Sequence, residues 1–124
     1  MRIVVALMVA GALGTLARYW IDGVISSHVG TQFPVGIFVI NVAGAFLLGF
    51  SFTFLTERLV LDAWIRFAIT TGFIGSFTTF STMTFNTAQM LSGGDITFAF
   101  VNSVGSVCCG IIAAGGGMVL GRIV

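Results

Sequence analysis

The side chains best suited to chemistry crowd into one stretch of this chain. Between Thr70 and Thr87, nine of 18 residues are Ser or Thr and two are Gly. Phe77, Phe80 and Phe85 interleave with them, as does Met83. Elsewhere Asn41 stands alone in an apolar run, and Asn102 and Ser106 lie four residues apart, a spacing that shares one helix face. Hydroxyls and carboxamides are neutral donors and acceptors, and an aromatic ring offers a weakly positive edge. Such a set can replace water around a small ion without a formal charge of its own. Covalent catalysis has no visible machinery: His28 is the single histidine, Cys108 and Cys109 sit side by side as small apolar filler, and no nucleophile has a base beside it. The sequence therefore reads as no enzyme. Plainer uses stand beside the chemical ones. Asn41 and the hydroxyls can join helices, the rings can pack, and Arg18 can snorkel to an interface.

The elements that must position these residues follow from composition. The chain has 124 residues, 57% hydrophobic and 7% charged, with net charge +1 and no Lys. Mean hydropathy is +1.13. Nine charged side chains cannot cover a soluble fold of this size, and disorder needs low hydrophobicity. An all-α membrane protein remains. A spanning helix needs about 20 residues, so the gaps between charges define four transmembrane helices in one domain, at about 3–21, 34–56, 66–90 and 96–120. Pro34 suits the first turn of the second helix. An N-terminal signal peptide is the other reading of the first run, but Arg18-Tyr19-Trp20 is no cleavage site. The Thr-rich third segment, with Gly72 and Gly75, predicts a helix broken near its middle, at Gly75–Thr79. Breaks at membrane depth need protein or a cavity to satisfy the freed backbone. Small residues recur at i+4 in Ala6-Ala10-Gly14, Ala45-Gly49 and Gly117-Gly121, which permits close helix contact. Arg2, Arg58, Arg66 and Arg122 fall on one side and Arg18 towards the other, so the charge bias taken alone puts both termini in the cytoplasm.

Three motifs together resemble the CrcB, or Fluc, family of fluoride channels. They are Gly14-Thr15-Leu16-Ala17-Arg18-Tyr19, Asn41-Val42-Ala43-Gly44-Ala45-Phe46-Leu47-Leu48-Gly49, and the run from Thr71 through Gly75-Ser76-Phe77-Thr78-Thr79-Phe80-Ser81-Thr82 to Met83. The resemblance implies an antiparallel, dual-topology homodimer with two fluoride pathways, in the bacterial inner membrane, exporting fluoride passively. It implies a pathway of Asn41, Phe80, Met83, Ser81, Thr82, Ser106 and Asn102, with Arg18 near a vestibule. Met83 stands where the family has a second pore phenylalanine, and Asn102 stands where a tyrosine is common. It further implies a structural sodium ion (Na+) on the backbone carbonyls of Gly75 and Thr78 from both subunits. Dual topology sits uneasily with four arginines against one, a margin of only three residues.

Other classes of function fit the same spans. A small four-span secondary transporter of another solute is one. However, no Asp or Glu lies inside a span, and coupled transport of cations generally relies on an intramembrane carboxylate. A structural subunit whose polar residues only join helices is another.

Overall fold

The computed structural model describes residues 1–59 and 61–124, and all its regular elements are helical. Helix α1 runs Arg2–Val29 and α2 runs Val35–Glu57. The third pass is composite: α3 (Ala63–Phe67), a π-helical segment (Ala68–Ile74), α4 (Gly75–Phe77) and α5 (Phe80–Ser92). The fourth begins as α6 (Ile96–Phe100), passes through a second π-helical segment (Val101–Gly105) and continues as α7 (Ser106–Ile123). Among the described residues, three helices are long and apolar enough to cross a membrane: Arg2–Val29, Val35–Glu57 and Ile96–Ile123. Local signals set the ends. Gly30 closes α1 in the left-handed conformation, at φ 53°, and Gly94, at φ 85°, turns the chain from α5 into α6. The first helix carries Arg18 and Asp22 within it and runs eight residues past Ile21.

Glycine decides which helices touch. A Cβ on Gly117 would meet the Phe46 carbonyl, and one on Gly49 would meet the Ala114 carbonyl, so α2 and α7 approach backbone to backbone. Gly121 repeats the contact against Phe50 and Thr53. On the other side, Gly14 of α1 lies against the Phe73 carbonyl, and Gly72 lies against Ala10 and Leu7. The small-residue repeats of the sequence thus serve contacts within the chain. In lipid, such close packing substitutes for a hydrophobic drive that is absent between apolar helices.

The apolar distribution is inverted relative to a soluble fold. The buried hydrophobic core is short: Ile37, Ile40, Leu55, Ile74, Phe77, Met83 and Ala99. Large side chains such as Met8, Phe52, Phe80, Phe100, Ile112 and Ile123 lie exposed. Surfaces of that kind belong against lipid or another protein chain. The chain is a multi-pass membrane protein.

Candidate functional site

The site is organised by two threonines that leave helical geometry. Thr78 adopts φ −82°, ψ 158° and Thr79 adopts φ −150°, ψ 110°, so both are extended between α4 and α5. The Thr78 amide still donates to the Ile74 carbonyl at 3.1 Å. The Thr79 amide does not continue the ladder. It donates to Asn41 Oδ1 at 2.8 Å, and Asn41 Nδ2 donates back to the Thr79 carbonyl at 3.1 Å. One carboxamide on α2 therefore pairs with both backbone groups of one residue. The Gly75 carbonyl, four residues before Thr79, loses the amide it would have accepted in an unbroken helix.

Thr79 then starts α5. Its side chain is 7% exposed, and Oγ1 accepts from the Thr82 amide at 3.3 Å, an N-cap. The same oxygen lies 3.0 Å from Thr82 Oγ1 and 3.3 Å from Ser81 Oγ. The N-terminus of α5, with its partial positive charge, is thereby fixed beside Asn41. Gly44 makes room for this contact, because a Cβ there would collide with Thr78 Cγ2.

An open groove of about 420 Å³ runs along this junction. Asn41, Thr78, Phe80, Met83 and Ser106 all line it, together with Gly44, Gly110 and the aliphatic faces of α2 and α7. Phe80 is 73% exposed, whereas Met83 is 6% exposed and fills the groove's inner wall. Ser106 Oγ is shielded from solvent and has no hydrogen-bond partner among the described residues. The lining contains no formal charge. Among its side chains, the free polar groups are the Ser106 hydroxyl and the second N–H of Asn41, both neutral donors.

The remaining sequence-predicted residues fall around the groove. Asn102 is fully buried on the second π-helical segment. Its Nδ2 donates to the Met83 carbonyl at 3.1 Å and to Thr87 Oγ1 at 2.9 Å. Asn102 thus holds α5 in place behind Met83, and its Oδ1 is buried without a donor among the described residues. Ser81 is exposed and Thr82 half-buried, both tied to Thr79 and outside the groove's lining. Arg18 is half-buried on α1, and Gly75 is exposed at the start of α4. Neither lines the groove.

The oxygens at the break suit a hard cation. Ca²⁺, Mg²⁺ and their like take carbonyl oxygens, and Na+ shares that preference. Gly75 has a carbonyl released from the ladder, and Thr78 presents an extended backbone two residues from Phe80. The described residues hold no group of three or more His, Cys, Asp or Glu side chains. Thr79 and Thr87 contact the candidate site residues Asn41 and Asn102, and sequence reasoning did not single them out. An N-cap signal, Thr directly before a helical run, could have found Thr79; nothing in the spacing marks Thr87.

Comparison with known proteins places the chain in a family. The family described as CrcB-like protein, Camphor Resistance (CrcB), matches residues 5–118. A protein of Geobacter sp. (strain M21) named Fluoride-specific ion channel FluC is 42% identical over 107 residues, 86% of each chain. Its namesake in Acidobacterium capsulatum is 44% identical over 112 residues, 90% of each chain. Another in Nitrosococcus oceani is 37% identical over 115 residues, 93% of this chain and 92% of that one. With the match running through all four passes, the chain belongs to the CrcB family of ion channels.

Proposed function

We propose that this protein is a fluoride-selective channel that passively exports fluoride and lowers its cytoplasmic concentration. The observation that carries the reading is near full-length kinship with proteins named for fluoride-specific conduction. The groove supports it in physical terms. Fluoride is small and strongly hydrated, so a pathway must supply hydrogen-bond donors in place of water. Asn41, Ser106 and the N-terminal end of α5 supply them without charge, and neutral donors release an ion as readily as they take it. Phe80 adds a ring edge. Met83 fills the matching volume without one. Ser81, Thr82 and Asn102 continue the polar line along α5 and the second π-helical segment, and Arg18 serves a vestibule.

The working unit in this reading is an antiparallel, dual-topology homodimer with two pathways, in the bacterial inner membrane. Two features favour a second copy. Phe80 lies largely exposed, and so does Gly75, whose carbonyl has lost the Thr79 amide it would accept in an unbroken helix and which lipid cannot satisfy. A partner inverted about a two-fold axis brings two breaks together. The Gly75 and Thr78 carbonyls of both chains would hold a sodium ion there, supplying a fixed positive charge that ties the breaks and favours anions nearby. Secondary transport of another solute is the alternative class.

Purified protein in liposomes separates the readings. Vesicles loaded with fluoride should empty rapidly through the protein, without a proton gradient, while vesicles loaded with chloride should not. No fluoride efflux from folded protein would refute the channel, and gradient-dependent efflux would favour a transporter.

A further inference from the structure

We infer that a pocket between the end of α2 and the start of the third pass binds the headgroup phosphate of an anionic phospholipid. The pocket has a volume of about 110 Å³ and is lined by Phe52, Leu55, Thr56, Arg66, Phe67 and Thr70. It lies far along α2 from the Asn41 groove, and it does not depend on what that groove conducts.

Arg66 supplies the reason. Its Nε is shielded from solvent and has no hydrogen-bond partner among the described residues. A buried donor without an acceptor is costly, so an acceptor from outside the chain belongs there. The neighbouring arginines on this face are engaged. Arg122 Nε lies 3.6 Å from Glu57 Oε1, and Arg58 donates to the Arg122 carbonyl. Thr70 Oγ1 donates to the Arg66 carbonyl at 2.8 Å, which ties the π-helical segment back to α3 at Arg66. Thr56 places a second hydroxyl at the rim.

The walls select the kind of anion. Phe52 is 61% and Phe67 50% exposed, so two rings flank the pocket where an acyl chain would lie. The depth agrees. Glu57 ends α2 and Asp62 precedes α3, and Trp64 donates to Asp62 Oδ2 at 3.3 Å, as an interfacial tryptophan does. This is the level of lipid phosphates, and basic pockets between transmembrane helices hold such groups. A guanidinium engages phosphate through two parallel N–H bonds. A lysine at the same place offers only a point charge.

The test uses the full chain purified in neutral detergent, with Arg66→Gln, Arg66→Lys and, as a control, Arg2→Gln. The unfolding midpoint is followed with added phosphatidylglycerol, phosphatidylcholine or inorganic phosphate, and bound lipids are counted by native mass spectrometry. Phosphatidylglycerol should raise the midpoint of wild type and Arg2→Gln by at least ~3 °C. Arg66→Gln should lose that shift and carry one bound phosphatidylglycerol fewer per chain, and Arg66→Lys should keep less than half. Equal shifts in wild type and Arg66→Gln would overturn the site. If Arg66→Gln does not fold, a full shift in Arg66→Lys would overturn it instead. An equal shift from inorganic phosphate would overturn the lipid assignment, and one from phosphatidylcholine the need for net negative charge. Wild type that ignores phosphatidylglycerol, with Arg66→Gln falling to single chains, would give Arg66 to a carboxylate of a second copy.

Discussion

Asn41 does two jobs with one carboxamide. It satisfies the amide and the carbonyl of Thr79, and it keeps an N–H for the groove. Leaving both Thr79 groups unpaired would cost roughly 2–6 kcal/mol, so exchange for an apolar residue of similar size is strongly destabilising. Met83 is the second telling residue. Its side chain is buried against the groove, and its carbonyl is held by Asn102. Under the proposed function, Met83→Phe restores a ring edge at the inner wall, and fluoride efflux from liposomes should equal or exceed wild type. A several-fold loss would mean that the groove is shaped around Met. Asn41, Phe80 and Ser106 were legible in the sequence as polar or aromatic residues in membrane runs and Met83 only through the family resemblance, and the structure brings all four to one groove. Thr79 was hidden among eight other hydroxyl residues, because composition does not say which hydroxyl is buried.

At the scale of elements, the third pass behaves differently from its neighbours. Its sequence carries nine hydroxyls in 18 residues, and its helical geometry lapses at Thr78 and Thr79. The π-helical segments at Ala68–Ile74 and Val101–Gly105 had no sequence signal. Each widens a turn, and π turns gather at functional sites. Here one leads into the break and the other carries Asn102. The glycines of the fourth pass are a sharper case. Gly117 touches the Phe46 carbonyl, whereas Gly115 has open space around it. Both lie in the same Gly-rich run, and only packing distinguishes them. Gly117→Ala should destabilise the bundle by about 1–3 kcal/mol, measured by unfolding in mixed micelles. Gly115→Ala should be neutral or slightly stabilising, since Ala is the better helix former. Equal effects would remove the α2–α7 contact from the account.

At the scale of the molecule, low charge first served to exclude soluble folds, and four passes then followed from the gaps between charges. The assembly was not legible from composition. Repeated small residues looked like a dimer surface as readily as an internal one, and the structure uses Gly14, Gly49, Gly117 and Gly121 inside the chain. Under the proposed assembly, the exposed Phe80 and Gly75 are what a second copy would cover. The central claim is that fluoride passes beside Asn41, and one substitution tests it most directly. Asn41→Asp keeps the size and the acceptor for the Thr79 amide, but it places a fixed negative charge in an otherwise uncharged groove. Fluoride efflux from liposomes should fall at least ~100-fold, the effect of about 3 kcal/mol of added barrier, in protein whose oligomeric state matches wild type. Efflux that stays at the wild-type rate would contradict the account, because no anion pathway along this groove could ignore that charge.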